Sequence, residues 1–138
     1  MPKSVSAKMG IKKYARSIII DGPHDAVASI DPPDLNFSQT LRGEFDYIHL
    51  FAVTQLAVHK RFAKLKDHLK ASGMLWVSWP KAKQLDTDLT LATVIRIGYD
   101  YGLVESKSLS INETWSALKF THPKAGKKYA NSYGKLKE

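Results

Sequence analysis

The sequence predicts a three-layer α/β fold whose sheet is mostly parallel and ends in an antiparallel hairpin. Three observations predict it. The runs Arg16-Ser17-Ile18-Ile19-Ile20 and Phe45 to Val53 are too continuously apolar for strands with a wet face, as buried parallel strands are. Helix-period patterns alternate with these runs. The last two strand-like runs, Leu103–Ile111 and Trp115–Thr121, are joined through Asn112-Glu113, which suits a tight hairpin.

Taken in order, residues 1–14 read as a partly ordered lead-in, with one helical turn over Ser4–Met9 that Gly10 ends. Arg16–Ile20 is the first strand, and Asp21-Gly22-Pro23 ends it. His24–Ile30 is a short helix with Ala26, Val27 and Ile30 inward, and Asp31-Pro32-Pro33-Asp34 breaks it, since two prolines cannot continue a helix. Leu35–Gln39 is a second, weaker strand, followed by a loop over Leu41–Glu44. Phe45–Val53 is a clear strand. Thr54 caps a helix over Gln55–Ala71, with Val58, Phe62, Leu65 and Leu69 on one stripe, and Gly73 supplies a left-handed stop. Met74–Trp79 is the central strand. After the loop Pro80–Asp86, Thr87 or Asp88 caps a helix over Leu89–Tyr101, with Leu91, Val94, Ile95 and Gly98 toward the sheet, and Gly102 closes it. The division is one α/β domain over residues 15–121, the lead-in over 1–14, and a basic, flexible tail over 122–138.

At 138 residues the chain suffices for one domain with one core. It has no cysteine, which excludes disulfides, a thiolate nucleophile and cysteine metal sites. No apolar run approaches the roughly 20 residues of a membrane span, and the first residues lack the apolar core of a secretory signal, so a soluble cytoplasmic protein is expected. The formal net charge is +8 and unevenly spread. Residues 1–16 carry Lys3, Lys8, Lys12, Lys13 and Arg16 and no acid, whereas 21–46 are acidic. A basic surplus draws polyanions, so nucleic acid is a partner to weigh, through Lys60, Arg61, Lys64, Lys70 and the five lysines after Thr121; a solvated helix face is the plainer reading. A small molecule or a protein partner is the other expectation.

In open α/β sheets ligands bind at the carboxyl ends of the strands. That rule gives a candidate pocket rim of Asp21, His24, Thr54, Gln55, Trp79, Lys81 and Asp88. Lys81 would pair an anion and Trp79 would stack on a ring; against this, large aromatics dominate cores. Asp86-Thr87-Asp88 offers carboxylates for a metal or a general base, but a Thr-Asp pair before a helix more often caps it. Glu113 is placed to reach Lys107 or Lys119 across the hairpin, and Trp115 to cover the sheet edge. The histidines His24, His49, His59, His68 and His122 include no i, i+4 pair, so no metal site is expected. Ser78 has no flanking glycines, so a hydrolase's nucleophile elbow is not supported.

Phe45-Asp46-Tyr47-Ile48, followed by Leu69-Lys70-Ala71-Ser72-Gly73-Met74-Leu75-Trp76-Val77, resembles the fourth and fifth strands of a class I methyltransferase. The chain is also similar, over about residues 6–121, to a family of small bacterial proteins of unknown function built on a reduced methyltransferase-like Rossmann domain. Met9-Gly10-Ile11-Lys12, Trp76-Val77-Ser78-Trp79-Pro80-Lys81, Thr87-Asp88-Leu89-Thr90, Gly102-Leu103-Val104 and Asn112-Glu113-Thr114-Trp115-Ser116-Ala117-Leu118-Lys119-Phe120 carry that resemblance. It implies a reduced, Rossmann-like methyltransferase sheet. The chain departs from methyltransferases at the turn Asp21-Gly22-Pro23-His24, which has one glycine and a proline where they have a glycine-rich loop, and no acid ends the second strand to hold a ribose. The expectation drawn from this is a binding or regulatory module without S-adenosylmethionine or any other cofactor, and without catalytic residues. The alternatives are a minimal S-adenosylmethionine-dependent methyltransferase and a basic nucleic-acid-associated protein.

Overall fold

The sheet is built around β4 (Leu69–Pro80), the longest strand, whose last eight residues are all buried. The computed structural model describes residues 3–131 and 134–136. Along the chain come α1 (Val5–Met9), β1 (Arg16–Ile20), α2 (His24–Ile30), β2 (Asn36–Phe37), β3 (Phe45–Phe51), α3 (Gln55–Asp67), β4, α4 (Leu91–Asp100), β5 (Val104–Ser110) and β6 (Trp115–Thr121). The sheet order is β2-β1-β3-β4-β6-β5. The pairs β1–β2, β1–β3 and β3–β4 are parallel; β4–β6 and β5–β6 are antiparallel. This is the three-layer, mostly parallel sheet with a terminal hairpin that the sequence predicts. The chain runs outward from β1 to β2 and then crosses back to β3, so the strand order reverses between β1 and β3.

Period-2 alternation sends side chains to two faces. On one face Ile48, Leu50, Leu75, Val77, Leu118 and Phe120 meet Val58, Phe62 and Leu65 of α3 and Val94 and Ile97 of α4. On the other, Tyr47, Phe51, Met74, Trp76, Trp115 and Ala117 meet Met9 and Ile11 beside α1 and Ala26 and Ile30 of α2. The lead-in is thus tied into the core: Ser4 caps α1 and Gly10 ends it in the left-handed region at φ 80°. Gly98 faces the sheet as expected, because a Cβ there would stand 2.0 Å from the Phe120 ring.

Three local expectations are corrected. Gly73 does not end α3. The helix stops at His68, whose Nδ1 pairs with the Gly43 carbonyl at 2.6 Å, and β4 begins at Leu69. Gly73 lies in an irregularity of β4, where a Cβ would stand 2.7 Å from the Phe45 carbonyl oxygen. The cap of α4 is Thr90, in a reciprocal pair with Thr93, and neither Thr87 nor Asp88. Trp115 covers no edge: β6 lies between β4 and β5, and its ring meets Phe51 edge-on at 5.3 Å. Beyond Thr121, residues 123–128 are exposed, β7 (Ala130–Asn131) pairs with β8 (Gly134–Lys135), and Tyr129 and Leu136 rest against the core. Among the described residues no helix is long and apolar enough to cross a membrane.

Candidate functional site

The carboxyl ends of β1 and β3, where the strand order reverses, bring Asp21–His24 and Thr54–Gln55 to one end of the sheet. The turn after β1 is made by two residues. Asp21 takes the left-handed conformation at φ 56°, and Gly22 then packs so tightly that a Cβ would stand 2.7 Å from Ile19 Cγ2 and 3.0 Å from Val27 Cγ2. Asp tolerates that region better than most residues, so the turn closes with a single glycine. Pro23 stands at the cap position of α2 with φ −63°, where its missing N–H costs no helical bond. The Asp21 carboxylate is exposed and lies 3.7 Å from Arg61 of α3.

Thr54 caps α3 by accepting from the Ala57 N–H at 3.1 Å. Gln55 and Asp88 are brought together: Asp88 Oδ1 accepts from the Gln55 N–H at 2.8 Å, and Gln55 Nε2 donates to the Asp88 carbonyl at 2.9 Å. Asp88 therefore caps a helix, but α3 and not the one that follows it. The Thr87 hydroxyl donates to the Val53 carbonyl and accepts from the Leu89 N–H. These bonds lace the segment after β4 to the end of β3. His24 is exposed in the first turn of α2.

Two predicted rim residues are elsewhere. Trp79 is 5% exposed and belongs to the core on the α3–α4 face, so it offers no ring for stacking. Lys81 turns toward the hairpin: its N–H donates to the Thr114 carbonyl at 2.7 Å and its ammonium to the Ser110 hydroxyl, away from β1. The loop it opens, Lys81–Asp86, holds Ala82, Lys83, Leu85 and Asp86 at φ between 48° and 60°. Non-glycine residues in that region cost on the order of 1 kcal/mol or more each.

Beneath this end of the sheet lies a polar chain that sequence reasoning missed. Tyr47 Oη pairs with His49 Nδ1 at 2.6 Å, and His49 Nε2 pairs with Ser78 Oγ at 2.7 Å. All three side chains are fully buried. Burial holds the His49 imidazole down to about 3 and pushes the Tyr47 phenol far up, so both are neutral. Either tautomer satisfies the chain, and the ring stacks on Phe51 at 4.3 Å. Ser78 is sealed from solvent, so the triplet orders the centre of the sheet and presents no nucleophile. The signal was spread over Tyr47 and His49 at i, i+2 and Ser78 on another strand, and only the β3–β4 register joins them.

No protein-family model matches the sequence, and no curated protein is significantly similar to it. Solved structures do share its fold. A ribosomal protein L11 methylase from Lactobacillus delbrueckii subsp. bulgaricus aligns with TM-score 0.58 at 10% identity over 86% of this chain and 74% of that one. A TehB-like SAM-dependent methyltransferase from Corynebacterium glutamicum aligns at TM-score 0.56 and 10% identity over 87% and 86%. The magnesium protoporphyrin IX methyltransferase of Synechocystis, with bound SAH, aligns at TM-score 0.55 and 12% identity over 85% and 74%.

The fold is therefore a Rossmann-like methyltransferase fold. The expectation of a chain without cofactor is corrected: the neighbours in fold include the Synechocystis methyltransferase, solved once with SAH and once with SAM bound. The expectation leaned on a turn with one glycine and a proline where methyltransferases have a glycine-rich loop.

Proposed function

We propose that this chain is a minimal S-adenosylmethionine-dependent methyltransferase domain, binding the cofactor at the carboxyl ends of β1 and β3. The observation that carries the reading is the reversal of strand order at that point, together with the fold shared with SAM- and SAH-bound methyltransferases. The donor set there fits the group. The exposed Asp21 carboxylate suits an ammonium or a pair of ribose hydroxyls, and the Ser38 and Thr40 hydroxyls lie past the end of β2. When bound, the cofactor supplies an electrophilic methyl group. This chain's residues bind and orient it: Asp21 holds its polar end, and the Gln55–Asp88 lacing fixes the segment on the other flank.

Isothermal titration with S-adenosylhomocysteine tests the reading. We expect saturable binding with Kd near or below about 100 μM, about −5.5 kcal/mol, and roughly tenfold weakening in Asp21→Asn. Absence of saturable binding at millimolar ligand would overturn it.

A further inference from the structure

We propose that this protein carries a second ligand site, at the amino end of its sheet, that takes a nucleotide unit with its phosphate among Lys12, Lys13 and Lys119 and its base on Tyr14. A cavity of about 530 Å³ opens there, between the segment Gly10–Ala15, the first residues of β3, the β4 irregularity at Ser72–Met74 and the last residues of β6. All of these lie at the end of the sheet opposite the Asp21 turn. The volume is that of an ordinary small-molecule site.

Charge selects the ligand. Lys12, Lys13 and Lys119 line the cavity, and none has an ion-pair or hydrogen-bond partner from its ammonium among the described residues. The one carboxylate in the wall, Asp46, is already matched. It accepts from the Arg16 N–H at 2.9 Å and from Lys70 Nζ at 3.0 Å. The cavity is thus left with uncompensated positive charge, which favours an anion. An aromatic stands with it. Tyr14 is 67% exposed and held at φ 66°, with its N–H donating to the Asp34 carbonyl at 2.6 Å. The backbone thus places a large, exposed ring at the cavity, with Lys13 Nζ over it 5.0 Å from its centroid. An exposed ring beside ammonium groups, one of which a stacking base would displace from the ring face toward the phosphate, is the combination that base stacking and phosphate pairing require. On the basic face of α3, Arg61 is drawn to Asp21 and Lys66 donates to the Tyr101 carbonyl at 2.7 Å, while Lys60 and Lys64 line a smaller cavity with no exposed aromatic ring in its wall.

The nucleotide unit has two sources, a free nucleotide or a single RNA strand. Fluorescence anisotropy of the full chain with a labelled short single-stranded RNA at about 50 mM salt, with AMP and inorganic phosphate as competitors, separates them. We expect saturable RNA binding that AMP displaces if free nucleotides suffice, or that AMP leaves in place if the strand is required. The Lys12→Glu/Lys119→Glu variant should bind about tenfold or more weakly, and three phosphate-facing lysines should give a log–log salt slope of about −2. Tyr14→Ala should weaken RNA or AMP about fivefold or more while leaving competition by inorganic phosphate unchanged. Lys60→Glu/Lys64→Glu, on the α3 face, should bind as the parent does. Absence of binding, full affinity in the Lys12/Lys119 variant, or a loss confined to the Lys60/Lys64 variant would each overturn the site.

Discussion

His49 shows most clearly what one residue does here. Its imidazole is neutral in the fold, with its pKa pushed down to about 3 by burial, whereas in the unfolded chain it titrates near 6.5. Below that value the unfolded state binds one more proton than the folded state, so stability is lost as pH falls. We expect unfolding free energy to drop by up to about 1.4 kcal/mol per pH unit below roughly pH 6. Asp46, held low chiefly by the Arg16 N–H, contributes stability that is present above 3.8 and lost only as pH falls further. Denaturant titrations between about pH 4.5 and 6.5, in the parent and in His49→Phe, therefore read the contribution of this histidine by difference. The slope should be clearly smaller in His49→Phe, and an equal slope in parent and variant would refute the assignment. None of this was legible in the sequence, where His49 is one polar residue in an apolar run. Its two partners sit two residues away and 29 residues away, and no local pattern couples them.

At the scale of elements, local chemistry was legible and long-range chemistry was not. Capping of α1 and α3, the proline break after α2 and the Asn112 turn follow from residue types within a few positions. The Asn112 Oδ1 accepts from the Thr114 and Trp115 N–H groups, both at 2.9 Å. Gly73 and Asp88 misled because their partners lie on other elements. The glycine makes room for the Phe45 carbonyl, and the aspartate caps the N-terminus of α3 from 33 residues away. The second contact gives a prediction. Asp88→Ala should lower stability by about 1 kcal/mol, as loss of a helix cap does, with the denaturant slope unchanged, while Asp88→Asn should keep most of it. Equal stability of Asp88→Ala and the parent would show that the lacing carries no energy. The left-handed run after Lys81 had no sequence signal at all, since no glycine or asparagine marks Ala82, Lys83 or Leu85.

For the whole molecule, the sequence carried the layer architecture and the central place of β4, because buried parallel strands and intervening helices leave period and composition marks; the methyltransferase-like order came only from the resemblance of Phe45–Ile48 and Leu69–Val77. It did not carry the two ends of the sheet. The carboxyl end was located by rule, but Trp79 and Lys81 point elsewhere once the hairpin packs beside β4. The amino end was not anticipated, because its cavity joins four segments far apart in the chain. Amide chemical-shift mapping of the labelled protein separates the two ends of the sheet. On titration with S-adenosylhomocysteine, the cofactor site proposed at the carboxyl end should give saturating shifts at Asp21, Gly22, His24 and Thr54, with Lys12, Tyr14 and Lys119 unmoved. Shifts confined to the amino-end residues, or none at either end, would contradict it.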